Sequence, residues 1–269
     1  MGNNATVTTK FEWIREFWQY RELFYFFVWR DIKIKYKQTV LGALWAIIQP
    51  FFTMVVFTIF FGKFAKMPSE GIPYPIFSYS ALVPWIYFSG AVGFSGNSLV
   101  GNSNLLTKVY FPRFAIPASA ALSGILDFFI ASLVLFGIMI YFNIPISWYL
   151  IFWPVLIIPL ILLALGCGMI LSSLNVKYRD IKYTIPFIIQ IWLFVTPIIY
   201  PISILPEKYQ RIINLNPMTG IIETFRSLVL INKQVDFWIL LYSICFSMLI
   251  FLLGWIYFRK TEKEFADNV

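Results

Sequence analysis

The sequence predicts an all-α integral membrane protein with six transmembrane helices, an N-terminal amphipathic interface helix, and short outer re-entrant helices between spans five and six. Three observations carry this prediction. The 269 residues are 59% hydrophobic and only 13% charged, whereas a soluble domain is about 25% charged. Apolar runs of about 20 residues, long enough to cross a hydrocarbon core, recur six times. The polar sequence left between them is too little for a separate soluble domain, so residues 1–269 read as one transmembrane domain.

Residues 1–38 form the arm. Trp13, Phe17, Tyr20, Phe24, Phe27 and Val28 recur at three- and four-residue spacing among charges, which predicts a helix lying in the membrane interface. These charges and aromatics do not form a secretory signal, so span one is expected to direct its own insertion. The arm ends in Arg30, Lys33, Lys35 and Lys37. Positive-inside anchoring accounts for this cluster; docking of anionic phosphate headgroups is the alternative reading.

The spans are expected at 40–62, 76–100, 114–142, 148–174, 184–205 and 237–258. Five contain no charge, and the third holds only Asp127. A carboxylate at that depth must be protonated, hydrated or paired. Either neighbouring Ser or Tyr hydroxyls satisfy it structurally, or it gates a conduit. Pro186, Pro197 and Pro201 interrupt the backbone hydrogen bonding of span five, which makes that span the first candidate to line a pore. After it, Asn216 and Pro217 have the cap and first-turn chemistry of a helix start. Met218, Ile221, Ile222, Phe225 and Val229 follow on one face of that helix, which is expected to dip into the membrane or roof a cavity.

Lys and Arg residues fix the orientation. Seven lie in the arm, two between spans two and three, three after span four and three in the C-terminal tail. These fifteen face six on the other side. Both termini are therefore expected on the cytoplasmic side of the cytoplasmic membrane. The net charge of +8 then suits anionic membrane lipids and requires no nucleic acid.

The chain has no histidine, and its two cysteines, Cys167 and Cys245, lie in apolar runs as packing residues. No metal cluster, carboxylate pair or P-loop is legible. Catalysis by this chain alone is not expected, and any energy source should lie in a partner or a co-transported ion.

Four local patterns then coincide in order. Lys35-Tyr36-Lys37-Gln38-Thr39-Val40-Leu41-Gly42-Ala43-Leu44-Trp45 precedes span one, and Asn175-Val176-Lys177-Tyr178-Arg179-Asp180 follows span four. Thr196-Pro197-Ile198-Ile199-Tyr200-Pro201 closes span five, and Leu215-Asn216-Pro217-Met218 comes after it. With the six-span layout, this resembles the membrane subunit of type-two ABC exporters for O-antigen, capsule and teichoic acid.

The resemblance implies a homodimer bound to two copies of a cytoplasmic ATPase that carries ATP and magnesium, with no cofactor in this chain. It also implies outward movement of an undecaprenyl-linked glycan through a channel. On that reading Trp13, Phe17 and Phe24, with Asn104, Lys108 and Arg113, meet the ATPase. Arg30, Lys33, Lys35, Lys37, Leu41 and Gly42 form the entrance for the lipid pyrophosphate. Phe57, Phe60, Trp192, Phe194 and Tyr200, with Asp127, line the channel. The loop Asn175 to Asp180 reads first as a basic anchor. Competing readings are an ABC permease for a drug or small lipid, a membrane enzyme of glycolipid assembly, and an ion-coupled carrier or channel.

Overall fold

A computed structural model describes residues 18–37, 41–108, 111–178, 180–230 and 235–265. Trp13, Phe17, residues 38–40 and Arg179 lie outside the described residues, and so does the side chain of Lys108. Among the described residues the chain is helical, with no strand.

The arm forms α1, Arg21–Lys37. Gly42, at φ +47°, takes the left-handed conformation that glycine tolerates best, and it sits at the corner where the chain enters span one. A 3-10 turn, Gly42–Leu44, leads into α2, Trp45–Phe57, and the helix continues as a π segment, Thr58–Phe64. The second span is α3, Tyr74–Gly101, with Pro73 before its first turn and most of its length buried. A short helix α4, Ser103–Lys108, connects it to the third span.

That span is two helices, α5 (Ala115–Leu122) and α6 (Ile125–Tyr141), separated by a turn at Ser123 and Gly124. Span four opens with a 3-10 turn, Trp148–Phe152, and continues as α7, Ile157–Lys177. α8, Ile181–Val195, is followed by α9, Glu207–Asn214, then α10, Pro217–Val229, and finally α11, Phe237–Thr261.

Five stretches are long and apolar enough to cross a membrane: Gly42–Phe64, Tyr74–Gly101, Ala115–Tyr141, Trp148–Lys177 and Phe237–Thr261. The chain is a multi-pass membrane protein. The fifth predicted span differs from its expected bounds, because its helix stops at Val195 instead of reaching 205. Thr196 precedes a proline and sits at φ −96°, ψ 137°, the extended region imposed by the following pyrrolidine ring. Pro197 then offers no amide hydrogen to continue the ladder. The 15-residue helix rises only about 22 Å.

The segment after this break is more deeply packed than its position between spans suggests. Asn216 caps α10 as expected, accepting from the Met218 amide at 3.1 Å. Met218, Ile221, Ile222 and Phe225 are fully buried, and so is Arg226 on the same helix. The Arg226 Nη2 donates to the carbonyls of Pro197 at 2.9 Å and Ile198 at 3.2 Å. Its Nη1 donates to the Glu223 carboxylate, and its guanidinium lies 3.7 Å from the Phe77 ring centroid. The arginine thereby satisfies carbonyls released where α8 breaks and ties that turn to α3 and α10.

The scaffold is the stack of α3 on α7 and α7 on α11. Between helices in lipid, association relies on close packing of small residues. A Cβ on Gly166 of α7 would lie 2.7 Å from the backbone of Ile250 in α11. Gly254 of α11 approaches the Gly166 carbonyl in the same crossing. In contrast, a Cβ on Gly137 of α6 would meet nothing within 4 Å. Gly166→Ala is expected to force the α7–α11 pair apart and lose about 1–3 kcal/mol, whereas Gly137→Ala should be neutral or slightly stabilising. Thermal unfolding of both variants in the same detergent checks the contrast.

Candidate cation and cavity site at the arm

The residues that end the arm are brought against the start of α6. The break at Ser123–Gly124 makes Asp127 a first-turn residue of α6, where the helix dipole favours a carboxylate. A Cβ on Gly124 would lie 3.4 Å from the Tyr87 ring, so this turn packs closely on α3. Lys35 Nζ donates to one Asp127 oxygen and the Tyr36 hydroxyl donates to the other. Burial first, and then the Asp127 carboxylate, raise the Tyr36 phenol above its ordinary range, so it remains a donor. The Lys35 ammonium also lies 5.3 Å from the Phe94 ring centroid.

These groups border a cavity of about 350 Å³ between α1, α2, α3 and α6, with Gly42, Trp45 and Gln49 on the α2 side. It combines apolar and aromatic walls with a cation, a carboxylate and an amide. Such a space suits an amphiphile whose polar end carries charge.

The other basic residues of the arm do not join Lys35. Arg30 donates to Asp31 at 2.8 Å and to Asn102 at 3.2 Å. Asp31 in turn accepts from Ser119 Oγ at 2.9 Å. This network fixes α1 to the end of α3 and to α5. Lys33 is exposed beside Trp29, at 5.4 Å from its ring centroid, and Lys37 is exposed too. Leu41 is exposed, and Gly42 lines the cavity.

The sequence profile of the ABC-2 type transporter family matches residues 22–230, from the arm through α10. The chain belongs to the ABC-2 type transporter family. This ABC-2 chain is 28% identical over 260 residues to the O-antigen export system permease protein RfbA of Myxococcus xanthus, covering 95% of this chain and 98% of that protein. It is 27% identical to the RfbA permease of Klebsiella pneumoniae over 88% of this chain and 91% of that one. The polysialic acid transport protein KpsM of Escherichia coli is 24% identical, over 89% of this chain and 93% of that protein.

The remaining candidate residues of this ABC-2 chain fall into separate places. Phe60 and Phe194 are exposed on the π segment and on α8. Phe57 is half-buried and packs edge-on against Phe61, with ring centroids 5.6 Å apart. Trp192 faces inward instead, with its ring 5.0 Å from that of Phe88 and its Nε1 donating to Asn216 at 2.9 Å. The Tyr200 hydroxyl donates to the Phe194 carbonyl at 3.2 Å. At the arm end, Phe24 packs into the core, Asn104 is exposed, and Arg113 donates to the Glu262 carbonyl. Along the loop after α7, Asn175 is buried and donates to the Gly96 carbonyl at 3.1 Å.

Sequence reasoning missed two partners. Arg226 is one of the six positive charges that the sequence assigns to the other side, and its position beside Phe225 on the helix that carries Met218, Ile221 and Ile222 is the signal that could have marked it. The link from Lys35 to Asp127 spans 92 positions, and the two charges carried no local pattern that joined them.

Two experiments test these contacts. Arg226→Met should cost roughly 3 kcal/mol or more, because it strips the Pro197 and Ile198 carbonyls and Glu223 of their buried partner; thermal unfolding in detergent reads this. In a double-mutant cycle, Lys35→Met and Asp127→Asn should show a coupling of about 1 kcal/mol, as expected for a half-buried pair. Additive losses would mean the two side chains do not interact.

Proposed function

We propose that this chain is the membrane subunit of an ATP-driven exporter that moves lipid-linked polysaccharide across the cytoplasmic membrane. The observation that carries the reading is the similarity to O-antigen and polysialic acid export permeases along 88–95% of the chain. Relatives matched over a short domain would support only a fold; these match from one end of the bundle to the other. Two copies of the chain form the translocating unit, with two copies of an ABC ATPase supplying ATP hydrolysis and magnesium. Both termini, and the ATPase, lie on the cytoplasmic side. The substrate is an undecaprenyl-linked glycan.

The physical support lies in the cavity beside Lys35. A polyprenyl pyrophosphate has an apolar tail and a compact anionic head, and the cavity offers aromatic walls beside the Lys35 ammonium and the Tyr36 phenol, which the head would share with the Asp127 carboxylate. Lys33 and Lys37, exposed at the same end of α1, attract the head electrostatically. Phe60 and Phe194, exposed on the π segment and on α8, supply aromatic faces for sugar rings.

The test is co-expression with a candidate ATP-binding subunit, purification by a tag on this chain in mild detergent, and transport in proteoliposomes. A stoichiometric complex that hydrolyses ATP and moves lipid-linked glycan is the expected result. Lys35→Gln should lower glycan transport about tenfold, the scale of one lost charge-assisted phosphate contact. Purification of the chain without any ATPase would overturn the reading.

A further inference from the structure

A second cleft lies between the arm, the start of α5 and the end of α11. Its apolar part encloses about 350 Å³, walled by Phe24, Phe114, Phe251, Leu252 and Trp255. A polar part of about 430 Å³ shares Arg113, Arg259 and Glu262 with it and adds Lys263. One continuous cleft is therefore oily at one end and charged at the other. Among its described lining residues, three cations face a single carboxylate.

The cleft's depth fits a lipid. From Phe237, the apolar stretch of α11 runs to Phe258, about 33 Å at 1.5 Å per residue, close to the thickness of a hydrocarbon core. Arg259 and Lys263 then lie at headgroup level, with Trp255 one turn inside, where aromatic side chains mark the interface. Leu252 belongs to the exposed apolar face of α11 with Leu249, Leu253 and Ile256, so the oily part opens toward lipid. The polar part is already built. Arg113 donates to the Glu262 carbonyl, the Glu262 carboxylate accepts from Arg259 at 3.2 Å, and the Arg259 guanidinium lies 5.2 Å from the Trp255 ring centroid.

We propose that this cleft binds one anionic phospholipid from the leaflet at the arm end. Its phosphate lies against Arg259 and Lys263, and one acyl chain runs along Phe251, Leu252 and Trp255. Net charge selects the lipid, because a zwitterionic headgroup carries an ammonium into a site already rich in cations. The bound lipid fills space between α1 and α11 and steadies the arm against the last span. This site is separate from the cavity at Lys35, and it does not depend on what the protein exports.

Native mass spectrometry of the full chain in detergent, titrated with phosphatidylglycerol or phosphatidylcholine of matched acyl chains, tests the site. One phosphatidylglycerol should remain bound per chain, in preference to phosphatidylcholine. Arg259→Gln combined with Lys263→Gln should weaken phosphatidylglycerol about tenfold and leave phosphatidylcholine unchanged. Leu252→Trp, on an exposed face and hence harmless to the core, should fill the oily part and weaken both lipids; this variant decides the matter if the charge variant unfolds. Equal retention of the two lipids by the unaltered chain would overturn the proposal. So would unchanged phosphatidylglycerol binding in the folded variants, or loss of the lipid when an ATP-binding subunit or a second copy of the chain covers the cleft.

Discussion

Inside a bilayer, apolar side chains gain little by turning from lipid toward one another, so the bundle depends on how closely its helices can approach. The crossing of α7 and α11 at Gly166 and Gly254 supplies that approach, and α3 packs on the other side of α7. From this stack the remaining parts take their positions. α5 and α10 pack on α3, and the arm is fixed to α3 and α5 by Arg30, Asp31, Asn102 and Ser119.

Polar contacts serve a second purpose in the same scaffold. Several lie where a helix starts, ends or breaks. Arg226 covers the carbonyls after α8, Asn216 caps α10, Asp127 sits in the first turn of α6, and Arg113 reaches the carbonyl of Glu262 after α11. Backbone groups freed at such places have no water to turn to in lipid. The interruptions of the helices thus place these four side chains, while buried serines such as Ser132, Ser173 and Ser247 bond carbonyls of their own helices.

That distribution also explains what the sequence disclosed. Long apolar runs reveal spans directly, and five helical stretches long and apolar enough to cross a membrane lie on five of the six runs. Pro197 and Pro201 were visible as interruptions, but whether a helix kinks or stops depends on what satisfies the freed carbonyls, and that group, Arg226, comes 29 residues later. The turn at Ser123–Gly124, where the chain packs on Tyr87 of another helix, interrupts an apolar run that carries no local mark of a break. At the candidate site, the basic run before span one was legible as charge. Its division into a docked Arg30, a cavity-facing Lys35 and exposed Lys33 and Lys37 required the fold, since each side chain's environment is supplied by different helices.

The early end of α8 has a consequence for the surrounding membrane. A helix about 22 Å long set in a bilayer whose oily layer is about 30 Å thick presents a hydrophobic mismatch. Lipid beside α8 must compress to meet it, or another protein surface must stand there in place of lipid. The exposed Phe187, Ile191 and Phe194 therefore face either compressed lipid or the protein surface that replaces it, so one flank of the molecule makes a demand on its surroundings that the longer spans do not.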